Sequence, residues 1–142
     1  MTRIDFHTNI ADKIAYACRL VRKARARSAD CQIVLLAEPA QLQLLDQALW
    51  TFSDTDFLPH VVAGDALAPQ TPIILTDHDA ADLPHHEMLL NLSNRTPTHF
   101  ARFERMFEII SADPADTAAG RERYAFYKQR GYPLTHFVAD QA

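Results

Sequence analysis

The sequence predicts an α/β fold, a three-layer sandwich around a largely parallel central sheet. Three observations point to it. Short apolar runs such as Gln32–Ala37 (QIVLLA) and Pro72–Thr76 (PIILT) have the composition of strands buried on both faces. Helical patterns alternate with those runs, as strand–helix–strand units require. No repeat, low-complexity tract or linker divides the 142 residues, so residues 1–142 read as a single domain.

Taken in order, Arg3–His7 alternates polar and apolar and reads as a first strand. Ala11–Arg27 follows as a helix, with Ile14, Ala17, Cys18 and Val21 on its inner side. Its Arg19, Arg22, Lys23 and Arg25 are available to face outward, as a solvated helix face would. Gln32–Ala37 is the second strand. Glu38-Pro39 opens a second helix that runs to Leu49-Trp50 on a stripe of Leu42, Leu45, Ala48 and Leu49. Phe52–Phe57 is a Ser- and Asp-containing loop, Leu58–Val62 a short strand, and Gly64–Gln70 a turn. Pro72–Thr76 and Met88–Leu92 are two further strands around a polar loop at Asp77–His86. Pro97–Phe103 reads as a short helix and Phe107–Ile110 as a strand. The closing helix starts at Asp113-Pro114, an acidic N-cap with proline at the first helical position. It ends before Gly131 and Pro133. Leu134–Val138 is a short strand or an ordered tail.

The closing helix carries two polar-aromatic stripes. Arg121, Tyr124 and Lys128 share one side, and Arg123, Tyr127 and Arg130 run along another. Two readings stay open. The helix is an ordinary amphipathic surface element, or it docks an acidic peptide with an aromatic end. In the second case arginine supplies a fork for a carboxylate and tyrosine a flat apolar wall. A second group, Trp50, Phe52 and Phe57, either caps a core edge or forms a partner-binding patch.

Charge is unevenly distributed. Residues 28–94 contain ten acidic residues and no Lys or Arg, a local charge of −10. All 14 basic residues lie elsewhere, against the other 8 of the 18 acidic ones, giving +6 and a net charge of −4. Such a polarised body suits an acidic partner better than naked DNA, which its acidic side would repel.

Several chemistries lack their residues. There are three glycines, Gly64, Gly120 and Gly131, and neither GxGxxG nor GxxxxGK[ST] occurs, so no nucleotide or other cofactor is expected. The loop His78–His86 holds the one candidate metal cluster, but it lacks helical spacing and reads better as a solvated acidic loop. Cys18 and Cys31 are expected to be free thiols without a placed base. With no membrane span and no signal-peptide pattern, the expected address is the cytoplasm.

LDQALW followed by FLPHVVAG, together with the terminal GRERYAFYKQRGYPL, resembles the chi subunit family of bacterial DNA polymerase III. That resemblance covers nearly the whole chain. It implies a Rossmann-like outline without a nucleotide site. It also implies a clamp-loader-associated accessory subunit of the replicase, with no catalytic site of its own. Such a subunit pairs with the psi subunit and grips the acidic C-terminal tail of single-stranded DNA-binding protein. By position, the resemblance implies tail binding at Arg121 and Tyr124, with Ile110 and Thr117 lining the same pocket. It implies contact with psi, or with a helicase competing for that surface, at Trp50 and Phe57. Thr117 stands where the family can carry a lysine, and Lys128 or the first basic helix is the expected compensation. The rival readings are a direct single-stranded nucleic-acid binder using the basic helices, and a small α/β hydrolase or nucleotide-dependent enzyme.

Overall fold

In a computed structural model, the structure describes residues 1–28, 30–51, 59–78 and 83–139. Among the described residues seven strands form one sheet: β1 (Arg3–Ile10), β2 (Ile33–Leu36), β3 (His60–Val62), β4 (Ile73–Thr76), β5 (Met88–Asn91), β6 (Arg105–Ser111) and β7 (Leu134–Val138). Every pairing is parallel, and the order is β3-β4-β2-β5-β6-β1-β7. Three helices cover the sheet: α1 (Lys13–Arg27), α2 (Pro39–Thr51) and α3 (Pro114–Gln129).

The strands alternate between two cores, as side chains that point to opposite faces must. Ile33, Leu35, Leu90 and Ile109 pack on one face with α1 and α2. Val34, Leu89, Met106 and Ile110 pack on the other, where Tyr127 of α3 and Phe100 join them. The charge asymmetry follows this topology. The acidic stretch builds β2 to β5 and α2, while β6, β1 and β7 with α1 and α3 build the other half.

Several boundaries differ from the sequence expectation, and one open reading, at Leu134–Val138, is resolved. α1 begins at Lys13 because Asp12 caps it, its carboxylate accepting from Ala15 N at 3.1 Å. β1 runs on to Ile10 because Thr8 pairs with Val138 and Ile10 with Ser111. Asn9 takes a φ of 61° within this stretch, where the register shifts. The short helix expected at Pro97–Phe103 is a 3-10 helix confined to Phe100–Arg102. Residues three apart eclipse in such a turn, so Phe100 and Phe103 both reach the core, and Thr2 Oγ1 donates to the Phe103 carbonyl at 2.6 Å. Leu134–Val138 is a strand, paired with β1 as the sheet's edge.

Candidate functional site

A cavity of about 510 Å³ lies where α3 crosses β6, β1 and β7. The start of α3 is fastened there by its own polar residues. Asp113 caps the helix, accepting from Ala115 N at 3.1 Å and Asp116 N at 3.2 Å. Asp116 accepts from Ser111 N at 2.7 Å and from Lys13 Nζ at 3.0 Å. Burial raises the Asp116 carboxyl, but the Ser111 N–H and the Lys13 ammonium outweigh it and hold the group below its ordinary value.

Helix spacing then carries Thr117, Gly120, Arg121 and Tyr124 along the cavity wall. Gly120 is placed by contact: a Cβ there would meet Ile110 Cδ1 at 2.4 Å. Its absence lets α3 sit down on β6. Ile110 and Phe6 supply the apolar floor, and Thr8 of β1 and His136 of β7 the far side. Tyr124 is half-buried, its ring edge-on to Phe6 at 5.0 Å between centroids. Arg121 is exposed at the rim. His136 Nε2 and Thr8 Oγ1 are hydrogen-bonded at 2.8 Å. The result is an apolar hollow with a guanidinium at its mouth.

Ile110, Thr117, Arg121 and Tyr124 are thus brought to one cavity. Lys128, placed by spacing on the same stripe, is exposed but does not line it. Seven residues beyond Arg121, it sits roughly 10 Å further along the helix axis. The hydroxyl of Thr117 donates to the Ser111 carbonyl at 3.1 Å and so helps fasten the helix.

Of the second stripe of α3, Arg130 is exposed but Arg123 and Tyr127 do not face solvent. Arg123 is 3% exposed and Tyr127 0%. Both reach Glu108 on β6, which is also fully buried. Its Oε2 accepts from Arg123 Nε at 3.1 Å and Tyr127 Oη at 2.7 Å, and its Oε1 from Asn91 Nδ2 at 3.0 Å. Burial pushes the Glu108 carboxyl up, opposed by the Arg123 charge and these donors. Two Arg123 nitrogens, Nη1 and Nη2, are buried with no hydrogen-bond partner. Sequence reasoning missed this network. The available signal was Glu108 itself, one charge inside the apolar run Phe107–Ile110, where burial demands a partner.

At the opposite sheet edge, Trp50 is 50% exposed at the end of α2. Its ring lies 4.3 Å from that of His60 on β3, whose buried Nε2 is 3.0 Å from Asp46 Oδ1. Leu44 and Val62 are also about half exposed on these elements. Phe52 and Phe57 lie outside the described residues.

Asp79 and Asp82 of the His78–His86 loop also lie outside them. His85 turns inward, Nε2 donating to the Thr71 carbonyl at 2.6 Å, and His78 bonds the adjacent Asp77 at 2.8 Å. Among the described residues no three His, Cys, Asp or Glu side chains gather as metal ligands. Cys18 and Cys31 are free and buried, and burial pushes both thiols up to about 11, far from a ready nucleophile. No helix of the described residues is long and apolar enough to cross a membrane.

Fold and cavity together define a Rossmann-like α/β protein with a corner pocket between a helix and the sheet's basic edge. Comparison with known proteins sharpens this. Residues 1–135 match the family described as DNA polymerase III chi subunit, HolC, and the chain belongs to that family. It is 32% identical to DNA polymerase III subunit chi of Pseudomonas aeruginosa over 139 residues, 94% of each chain. The subunit chi of Haemophilus influenzae is 27% identical over 77% of this chain and 76% of its own. That of Escherichia coli is 23% identical over 78% and 75%.

Proposed function

We propose that this chain, as one chi-like domain, is a non-catalytic adaptor of the DNA polymerase III assembly, associated with its clamp loader. In this reading the α3 pocket takes the acidic C-terminal tail of single-stranded DNA-binding protein. The observation that carries it is the corner pocket, where Arg121 stands at the mouth of an apolar hollow floored by Phe6 and Ile110. A tail ending in an apolar ring and a free carboxylate satisfies both parts: the ring packs beside Tyr124 and the carboxylate meets Arg121. The patch around Trp50 takes the psi subunit, or a helicase competing with it, with Phe57 as the second aromatic.

Titration calorimetry with a synthetic tail peptide tests the pocket. A charge-assisted hydrogen bond contributes about 1.5–3 kcal/mol, so Arg121→Ala is expected to weaken the tail roughly 10- to 150-fold. Arg121 is exposed, so the fold should be untouched. Unchanged affinity would remove the pocket from the reading.

A further inference from the structure

We propose a second binding site, for single-stranded DNA, on the α1 side of β1 and β7, the face opposite the tail pocket. Neighbouring residues of β7 serve the two faces: His136 lines the tail pocket, while Phe137 pairs with His7 on the other side. There the rings form a continuous strip. His7 lies 5.5 Å from Phe137, 5.3 Å from Phe107 and 5.5 Å from Tyr16, centroid to centroid. Tyr16 also hydrogen-bonds the His7 imidazole, which fixes the strip's centre. At its outer end Phe137 is 54% exposed on the sheet edge. At its inner end a cavity of about 300 Å³ opens between α1 and the strands, with Lys23, Arg27 and Arg105 among its walls.

The cations border this strip on both sides. Arg105 lies over Phe107 at 4.5 Å and Arg19 over Tyr16 at 5.5 Å. The acids nearby are engaged: Asp5 pairs with Arg105 at 2.6 Å, and Glu87 accepts from Gln32 N at 3.1 Å. Lys23 and Arg27 are exposed and form no ion pair among the described residues. The Lys23 charge reaches the strip: burial first, then the neighbouring Arg105 and Lys23, hold the His7 imidazole below its ordinary value against the pull of Asp5.

This chemistry favours a nucleic-acid strand over an acidic peptide. A carboxylate needs a seated fork, and the seated guanidinium, Arg105, already holds Asp5. Cations on long flexible stems along a strip that ends in one exposed ring, Phe137, suit a phosphate backbone with a stacked base. The strand is DNA because the chain belongs to a DNA polymerase subunit family. Most of the acidic stretch builds the far half of the sheet, and of its carboxylates Glu87 alone lines the cavity at the strip's inner end.

Fluorescence anisotropy of labelled oligo-dT, about 16 nucleotides long, with the full-length protein tests this site. Phe137→Ala is expected to weaken binding roughly tenfold, the effect of losing one stacked base. The double variant Lys23→Ala/Arg27→Ala should reduce the slope of log affinity against log salt by about 1.4, two phosphate contacts' worth. All three side chains are exposed, and unchanged circular dichroism will show that the variants are folded. Arg121→Ala and saturating tail peptide should leave oligo-dT binding as it was, which keeps this site's fate separate from the pocket's. No anisotropy change up to about 10⁻⁴ M protein at low salt would overturn the proposal. So would equal binding by the strip variants, tighter binding of oligo-U, or loss of tail-peptide binding in the Lys23/Arg27 variant.

Discussion

Gly120→Ala sets two known effects against each other at the wall of the corner pocket. Replacing glycine by alanine inside a helix ordinarily stabilises it by about 1 kcal/mol. Here the added methyl would stand 2.4 Å from Ile110 Cδ1, 3.1 Å from Cγ1 and 3.2 Å from Cγ2. The Cδ1 methyl can swing away, but the two γ carbons remain too close and Ile110 is 2% exposed. Overpacking of this kind costs about 1–3 kcal/mol. The clash therefore cancels or exceeds the propensity gain, giving a net loss of up to about 2 kcal/mol. The functional effect should be larger than the stability effect, because Ile110 can yield only by entering the hollow it floors. Urea denaturation reads the first quantity and calorimetry with the tail peptide the second. Ile110→Ala, which deletes all three clashing carbons, should cost less in the Gly120→Ala background than on its own, with a coupling of at least about 0.5 kcal/mol. A variant more stable by about 1 kcal/mol with unchanged tail affinity would refute the close-contact reasoning.

Three further outcomes can be measured. Arg123→Ala leaves Glu108 buried without its counter-charge and should destabilise by about 3–5 kcal/mol, against about 1–3 for Tyr127→Phe, both read by denaturant melts. Asp116→Asn should lower stability at neutral pH by about 1.5–3 kcal/mol. Asp116's folded pKa lies below its unfolded one, so its contribution is present above the ordinary carboxylate range and lost as pH falls through the folded value. The gap between wild type and Asp116→Asn should therefore close on acidification, and a gap that persists in strong acid would contradict the assignment. Trp50→Ala should weaken psi in a pulldown while sparing the tail peptide; equal loss of both would indicate unfolding.

The fold was legible because fully buried parallel strands read as unbroken apolar runs, as Ile33–Leu36 and Ile73–Thr76 do. Strand order was not, since nothing local tells Arg3–Ile10 to lie between β6 and β7. The pocket residues of α3 were legible from spacing and family resemblance, but its contributors from other elements, Phe6, Thr8 and His136, come together only through that strand order. Two positions misled for opposite reasons. Lys128 shares an angular stripe with Arg121, and angle says nothing about distance along the axis. Arg123 reads as a solvent-facing charge because arginine is rarely buried alone; its partner Glu108 is 15 residues away in sequence.

The division between the two stripes of α3 explains why one helix can both hold the fold and offer a surface. Arg121 and Tyr124 turn toward the corner pocket, while Arg123 and Tyr127 turn inward and fix α3 to β6 through Glu108. The wall of the pocket is therefore as rigid as the core beneath it, and a tail entering it need not order the helix first. The sheet separates this corner from the Trp50 patch. β7 and β3 are its two edges, with six strand spacings between them, or about 29 Å. Partners proposed for the two edges have room to bind together, one at the acidic half of the sheet and one at the basic half. Their binding free energies should add, because no side chain described here touches both surfaces. Measured cooperativity between psi and the tail would require a movement of the sheet that the packed cores on both of its faces oppose.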